Sequence, residues 1–258
     1  MAQFSVCRGL ARVDARWYAV ALLTAPLLMT ATLFALSLTS PIFLPGVFTS
    51  PDKASLLLFG IAVGLGAGFF EELGWTGFAV PGVRLRYGGL ATGLIVGGLW
   101  GAWHFLVVVW GIGSSSGAIS LALFVPLDLL SFLPAYRVLM VWVYDRTGSL
   151  LVAMLMHASL TASMLIFGPL AISGVPLLTY ELVFAAALWV VVAAVAVANR
   201  VQLSRQPLRR RVAHPRHRWV RTSGLSTLNE DQIAERGARM ARRDDREYRE
   251  YLREEQRS

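Results

Sequence analysis

The sequence predicts an all-α fold: a polytopic membrane helical bundle of about six transmembrane helices, with N- and C-termini cytoplasmic. Three observations predict it. The chain of 258 residues is 55% hydrophobic and only 16% charged, with positive mean hydropathy, a membrane-protein composition. Six apolar segments reach the roughly 20 residues that a helix needs to cross the hydrocarbon layer. The basic residues between those segments fall on alternate sides.

The first segment, 17–39, follows Arg8, Arg12 and Arg16. It is too long for the apolar part of a secretory leader and no small-residue cleavage site follows, so a retained span is expected. The second covers 55–79, and Arg84 and Arg86 separate it from the third, 90–111. The fourth, 118–143, contains Pro126 and Pro134, so a kink or a break into two pieces is expected. Arg146 precedes the fifth, 149–168, and an arginine-rich tail follows the sixth, 176–198. The alternate connections hold only Lys53, so the positive-inside rule places both termini in the cytoplasm.

The basic charge belongs to the tail. Residues 1–198 carry a net +1, whereas 199–258 carry 16 arginines against 9 acidic residues. An arginine cluster next to a span marks the cytoplasmic side and touches anionic lipid, and no nucleic-acid partner is expected. The end of the tail mixes charges without a continuous apolar stripe, which fits disorder at least as well as a solvated helix with i,i+4 pairs. Cys7 is the single cysteine, so an intrachain disulfide and a cysteine metal site are excluded. Arginine outnumbers lysine 23 to 1, a composition that points to a prokaryote.

Against this background FFEELGWTGF, residues 69–78, stands out. A charged side chain at mid-bilayer costs about 2.5–3.5 kcal/mol even on the mildest insertion scale, so two adjacent glutamates need a partner or a function. The polar candidates inside the spans are Glu71 and Glu72 in the second, His104 in the third, Asp128 in the fourth, His157 in the fifth and Glu181 in the sixth. Glu72 and Thr76 share a helix face at i,i+4, as do Trp100 and His104, and His157 and Thr161. A glutamate beside an imidazole can hold a water and take its proton, and a second histidine with a hydroxyl can donate to the oxyanion of a tetrahedral intermediate. That equipment hydrolyses an amide.

Blander readings stand beside this one. A Glu–His pair also serves as a clamp between helices, or as a proton relay in a transporter. Metal binding is open, although HExxH is absent. Glu181, near the end of its span, reads as an interfacial carboxylate, and the tryptophans as packing or interfacial anchors. A serine-type intramembrane protease needs a Gly-x-Ser-Gly turn and an aspartyl type a Gly-x-Gly-Asp turn, and neither occurs. GSSSG (113–117) has hydrolase-like spelling without a preceding strand, so it reads as a connector.

At these residues the sequence resembles the CPBP family, the CAAX-protease and bacteriocin-processing intramembrane endopeptidases. EELGWT (71–76) looks like its Glu-Glu-x-x-x-Arg motif, WGAWH (100–104) its Phe/Trp-x-x-x-His motif and HASLT (157–161) its His-x-x-x-Asn motif. The resemblance implies that Glu71 and His104 activate a water, that Glu72 assists, and that His157 and Thr161 form the oxyanion site. Two positions depart from the pattern. Thr76 replaces the motif arginine, leaving the motif without the cation that would steady Glu72, and Thr161 replaces asparagine with a shorter, single donor.

The expected organisation is a segment 1–54 with the first helix, a CPBP-like core at 55–168, a last helix at 169–198 and the tail at 199–258. The expected function is a membrane endopeptidase in a prokaryotic cytoplasmic membrane, with lipid and a peptide or protein substrate as partners. No cofactor is required by a glutamate-activated water, and a divalent metal is left open. The rivals are a catalytically silent scaffold or immunity-type binding protein and, behind it, a proton-coupled transporter.

Overall fold

A computed structural model describes residues 13–105, 120–169 and 172–198. All of them belong to the compact unit Met1–Val212; the second unit, Ala213–Ser258, lies outside the described residues, as does the whole of the expected tail, 199–258.

The described chain is helical. Helix α1 is Ala15–Ser37, and a short 3-10 turn, Pro41–Phe43, leads to α2, Gly46–Thr49. Helix α3, Lys53–Gly74, continues through a π-helical turn, Trp75–Ala79, into α4, Val80–Arg84. Then come α5, Gly89–Trp103, α6, Leu121–Thr147, α7, Leu150–Phe167, and α8, Gly174–Ala198. Side-chain caps fix several starts: Asp14, Asp52 and Ser149 accept from the backbone N–H groups of Arg16, Ser55 and Val152. Between α6 and α7 only Gly148 and Ser149 intervene. Gly148 takes φ 60°, a left-handed C-cap open to glycine.

Among the described residues, five helical stretches are long and apolar enough to cross a membrane: Ala15–Ser37, Lys53–Arg84, Ala122–Thr147, Leu150–Phe167 and Gly174–Ala198. The expected third span is represented by α5, of 15 residues, and its remainder at 106–111 lies outside the described residues. Arg84 forks onto Asp145 with bonds of 3.2 and 2.9 Å, which brings the ends of α4 and α6 to the same side. The expected break in the fourth span does not occur. Helix α6 runs unbroken through Pro126 and Pro134, with 78% of its apolar window buried against neighbours that hold it together where the N–H groups are missing.

Two glycine seams set the packing. Gly60, Gly64 and Gly68 of α3 face α7 so closely that a Cβ on Gly64 would lie 2.6 Å from the Ala158 carbonyl oxygen. Gly93 and Gly97 of α5 meet α6 in the same way, with Val138 Cα and Pro134 Cα each 2.6 Å from where a Cβ would stand. Small residues let backbones approach, and in lipid such packing replaces the hydrophobic drive. The result is two zipped pairs, α3 with α7 and α5 with α6.

Candidate functional site

The site lies where those two pairs meet. Successive residues on a helix point about 100° apart, so Glu71 and Glu72 have different surroundings. Glu72 is fully buried, whereas the Glu71 side chain keeps 17% of its surface exposed.

Glu72 accepts four hydrogen bonds, two on each oxygen. Its Oε1 takes Arg137 Nη2 at 2.9 Å and His157 Nδ1 at 2.7 Å; its Oε2 takes Arg137 Nη1 at 2.8 Å and the Thr76 hydroxyl. Every lone-pair direction of the carboxylate is used, the condition under which a charge can be buried. The Arg137 side chain is itself completely buried, and its guanidinium lies 4.1 Å from the centre of the Trp100 ring. A cation over an indole face gains from the ring quadrupole, more so when both are desolvated. Arg137 Nε has no hydrogen-bond partner among the described residues.

Glu71 is held differently. The Trp100 indole N–H donates to its Oε2 at 2.9 Å, and His157 Nε2 lies 3.9 Å from the same oxygen. Trp100 also fixes His104, whose Nδ1 is 2.9 Å from the Trp100 carbonyl oxygen. A carbonyl only accepts, so His104 carries its hydrogen on Nδ1 and presents Nε2 as the free atom. The ion-paired Glu72 carboxylate assigns His157 the same tautomer, with Nε2 turned toward Glu71. The Trp100 ring makes edge contacts with both imidazoles, at centroid distances of 5.3 and 5.0 Å. Thr161 is half-buried, one turn beyond His157 on α7.

The structure therefore gathers Glu71, Glu72 and His157 directly, and joins His104 to them through Trp100. Two sequence expectations are corrected. Glu72 does not lack a cation: Arg137 supplies it from α6, and Thr76 is small enough to leave room. Glu181 is not exposed as an interfacial carboxylate would be, since its side chain is buried, with Asp128 of α6, also buried, as its charged neighbour. Arg137 is the residue that sequence reasoning overlooks. Its signal is a lone arginine deep inside an apolar run. Trp100, read as packing, turns out to be the hub of the hydrogen-bond network.

No group of three or more His, Cys, Asp or Glu among the described residues is arranged to hold a metal ion, and both Glu72 oxygens are already engaged. Between α5 and α6, a cleft lined by Gly101, Ala102, Phe105, Val125, Pro126, Leu129 and Leu130, with no residue of the network in its lining, has a volume of about 260 Å³ and walls that are almost wholly apolar.

Helices long and apolar enough to cross a membrane, with glutamates and histidines collected between them, give the class: a membrane-type helical bundle with a polar site inside it. Residues 53–163 match the family model described as Type II CAAX prenyl endopeptidase Rce1-like, a match consistent with the CPBP resemblance. The match runs from the first residue of α3 into α7 and contains every residue of the network. No curated protein matches the chain significantly.

Proposed function

We propose that the chain is an intramembrane endopeptidase that hydrolyses a peptide bond with a water activated by Glu71 and His104. The observation that carries this is the shared anchor: Trp100 fixes Glu71 by its indole N–H and His104 by its carbonyl. That leaves Glu71 Oε1 and His104 Nε2 available to one water. Glu71 takes the water proton as the oxygen attacks the substrate carbonyl, and returns it to the leaving amine when the tetrahedral intermediate collapses. His157, neutral at rest with Nδ1–H on Glu72, donates to the oxyanion from Nε2 once a proton from solvent converts it to the imidazolium, and the Thr161 hydroxyl offers a second donor. Every step uses side chains of the chain itself.

The substrate is a peptide or protein segment reaching the bundle from the membrane. The protein sits in a prokaryotic cytoplasmic membrane with both termini in the cytoplasm, and the peptidase core spans 55–168. Thr161 favours one alternative, a catalytically silent family member that only binds. The test is turnover of quenched fluorescent peptides by the protein purified in detergent, with Glu71→Ala as control. Cleavage that disappears in Glu71→Ala is expected. Full activity in that variant, at normal expression, overturns the mechanism, and no turnover by the wild type leaves the binding role.

A further inference from the structure

We propose that Arg137 is the positioning residue of the site. By forking onto Glu72 it fixes His157, and it does so in place of a cation on α3 at position 76. This rests on the peptidase reading for its kinetic arm and on geometry alone for its spectroscopic arm.

Position 76 lies one turn beyond Glu72 on the same face, and the Thr76 hydroxyl touches both Glu72 Oε2 and, at 3.5 Å, Arg137 Nη1. A cation at 76 would therefore reach the same carboxylate from its own helix. Thr76 and Arg137 are both fully enclosed, so the space beside Glu72 holds one guanidinium and not two. The chain has put that guanidinium on α6, 65 residues from Glu72. There it rests on the Trp100 ring, is fixed along its stem by the α5–α6 seam at Gly97, and bonds both carboxylate oxygens. The consequence falls on His157. Glu72 Oε1 receives Arg137 Nη2 and His157 Nδ1 together, so the fork decides where that oxygen stands and hence where His157 Nε2 points. Arg137 acts on the imidazole through Glu72, as a positioning residue must.

A fork is what lysine cannot reproduce. A bidentate guanidinium fixes the plane of a carboxylate, while an ammonium is a point charge on a flexible stem. Charge alone should then be insufficient, and the location of the fork should be exchangeable.

The experiment compares Arg137→Gln, Arg137→Lys, Thr76→Arg and the exchange Thr76→Arg/Arg137→Gln with the wild type. Turnover is measured well below each melting temperature, and 15N-labelled histidine reports ring tautomers by NMR. The sequence has four histidines, so the spectrum is assignable with His157→Asn and His104→Asn. In Arg137→Gln we expect kcat to fall about 10²-fold, the loss typical of a displaced catalytic group, with KM nearly unchanged. The fixed Nδ1–H tautomer of His157 should give way to a mixture. Arg137→Lys should resemble it. The exchange variant should recover both the tautomer and most of kcat, and because it restores a paired charge it also controls for misfolding of the single variant. Thr76→Arg alone should be impaired, and loss of Arg137 should improve it. Wild-type kcat in Arg137→Gln, or an exchange variant that restores the His157 tautomer without restoring turnover, overturns the proposal. If the wild type has no peptidase activity, the mechanism fails and the tautomer measurements alone decide whether Arg137 holds His157.

Discussion

Gly97 packs directly on Arg137: a Cβ on Gly97 would lie 3.0 Å from Arg137 Cβ and 2.6 Å from Pro134 Cα. The absence of a side chain in α5 therefore sets the position of a cation in α6. Gly97→Ala should force the pair apart, cost about 1–3 kcal/mol as other overpacked sites do, and reduce peptidase activity with it. Gly98, with nothing within 4 Å of its Cβ position, is the control. Gly98→Ala should be neutral or stabilising, since alanine is favoured over glycine in a helix by about 1 kcal/mol. Thermal unfolding in detergent compares them, and equal melting temperatures would contradict the seam.

Trp100→Phe removes the indole N–H from Glu71 while keeping an aromatic face under Arg137. A hydrogen bond to a charged group contributes about 1.5–3 kcal/mol, so kcat should fall by about 10–100-fold. KM should hold, because the bond aims a base and does not grip the substrate. Steady-state kinetics check this, and an unchanged kcat would show that Glu71 needs no such support.

Glu71 and His104 should behave as one catalytic unit. If either loss prevents attack by the water, Glu71→Ala/His104→Ala should be hardly slower than either single variant. Kinetics of the three proteins decide it, and multiplicative losses would mean that the two act independently.

Thr161→Val keeps the shape and deletes the hydroxyl, so activity should drop. Thr161→Asn supplies a longer amide donor and should retain or raise activity. Equal turnover of one peptide by the Thr161→Val variant and the wild type would reduce residue 161 to packing.

The arginine pattern predicts membrane orientation. Reporters fused after residues 86, 147 and 225 should read cytoplasmic, and those after 115 and 172 extracytoplasmic. A cytoplasmic signal at 115 would break the six-span topology.

Much of this bundle is legible in the amino-acid sequence alone, for identifiable reasons. An ionisable residue in an apolar run is conspicuous, so Glu71, Glu72, His104 and His157 declare themselves, and the i,i+4 relation of Glu72 to Thr76 survives as a contact. Arg137 carries the same signal but no local partner, because its carboxylate lies 65 residues earlier. The link between Asp128 and Glu181 is hidden for the same reason: spacing within one helix does not encode which neighbour a face meets. The four-residue glycine spacing of α5 is likewise visible, whereas its destination on α6 is not. Pro126 and Pro134 mislead because the rule for a lone helix omits the neighbours that hold α6 together.

The distance along the chain between Glu72 and its partners has a consequence for biosynthesis. Arg137 follows it by 65 residues and His157 by 85. At typical synthesis rates of 5–20 residues per second, the carboxyl exists for about 3–17 s before the groups that will surround it have been made. Helices α5 and α6 are neighbours in sequence and can zip first, but α3 has to wait for α7. During that interval Glu72 has none of its final partners, so until α6 and α7 arrive its cost in hydrocarbon can be met only by protonation or by water held beside α3.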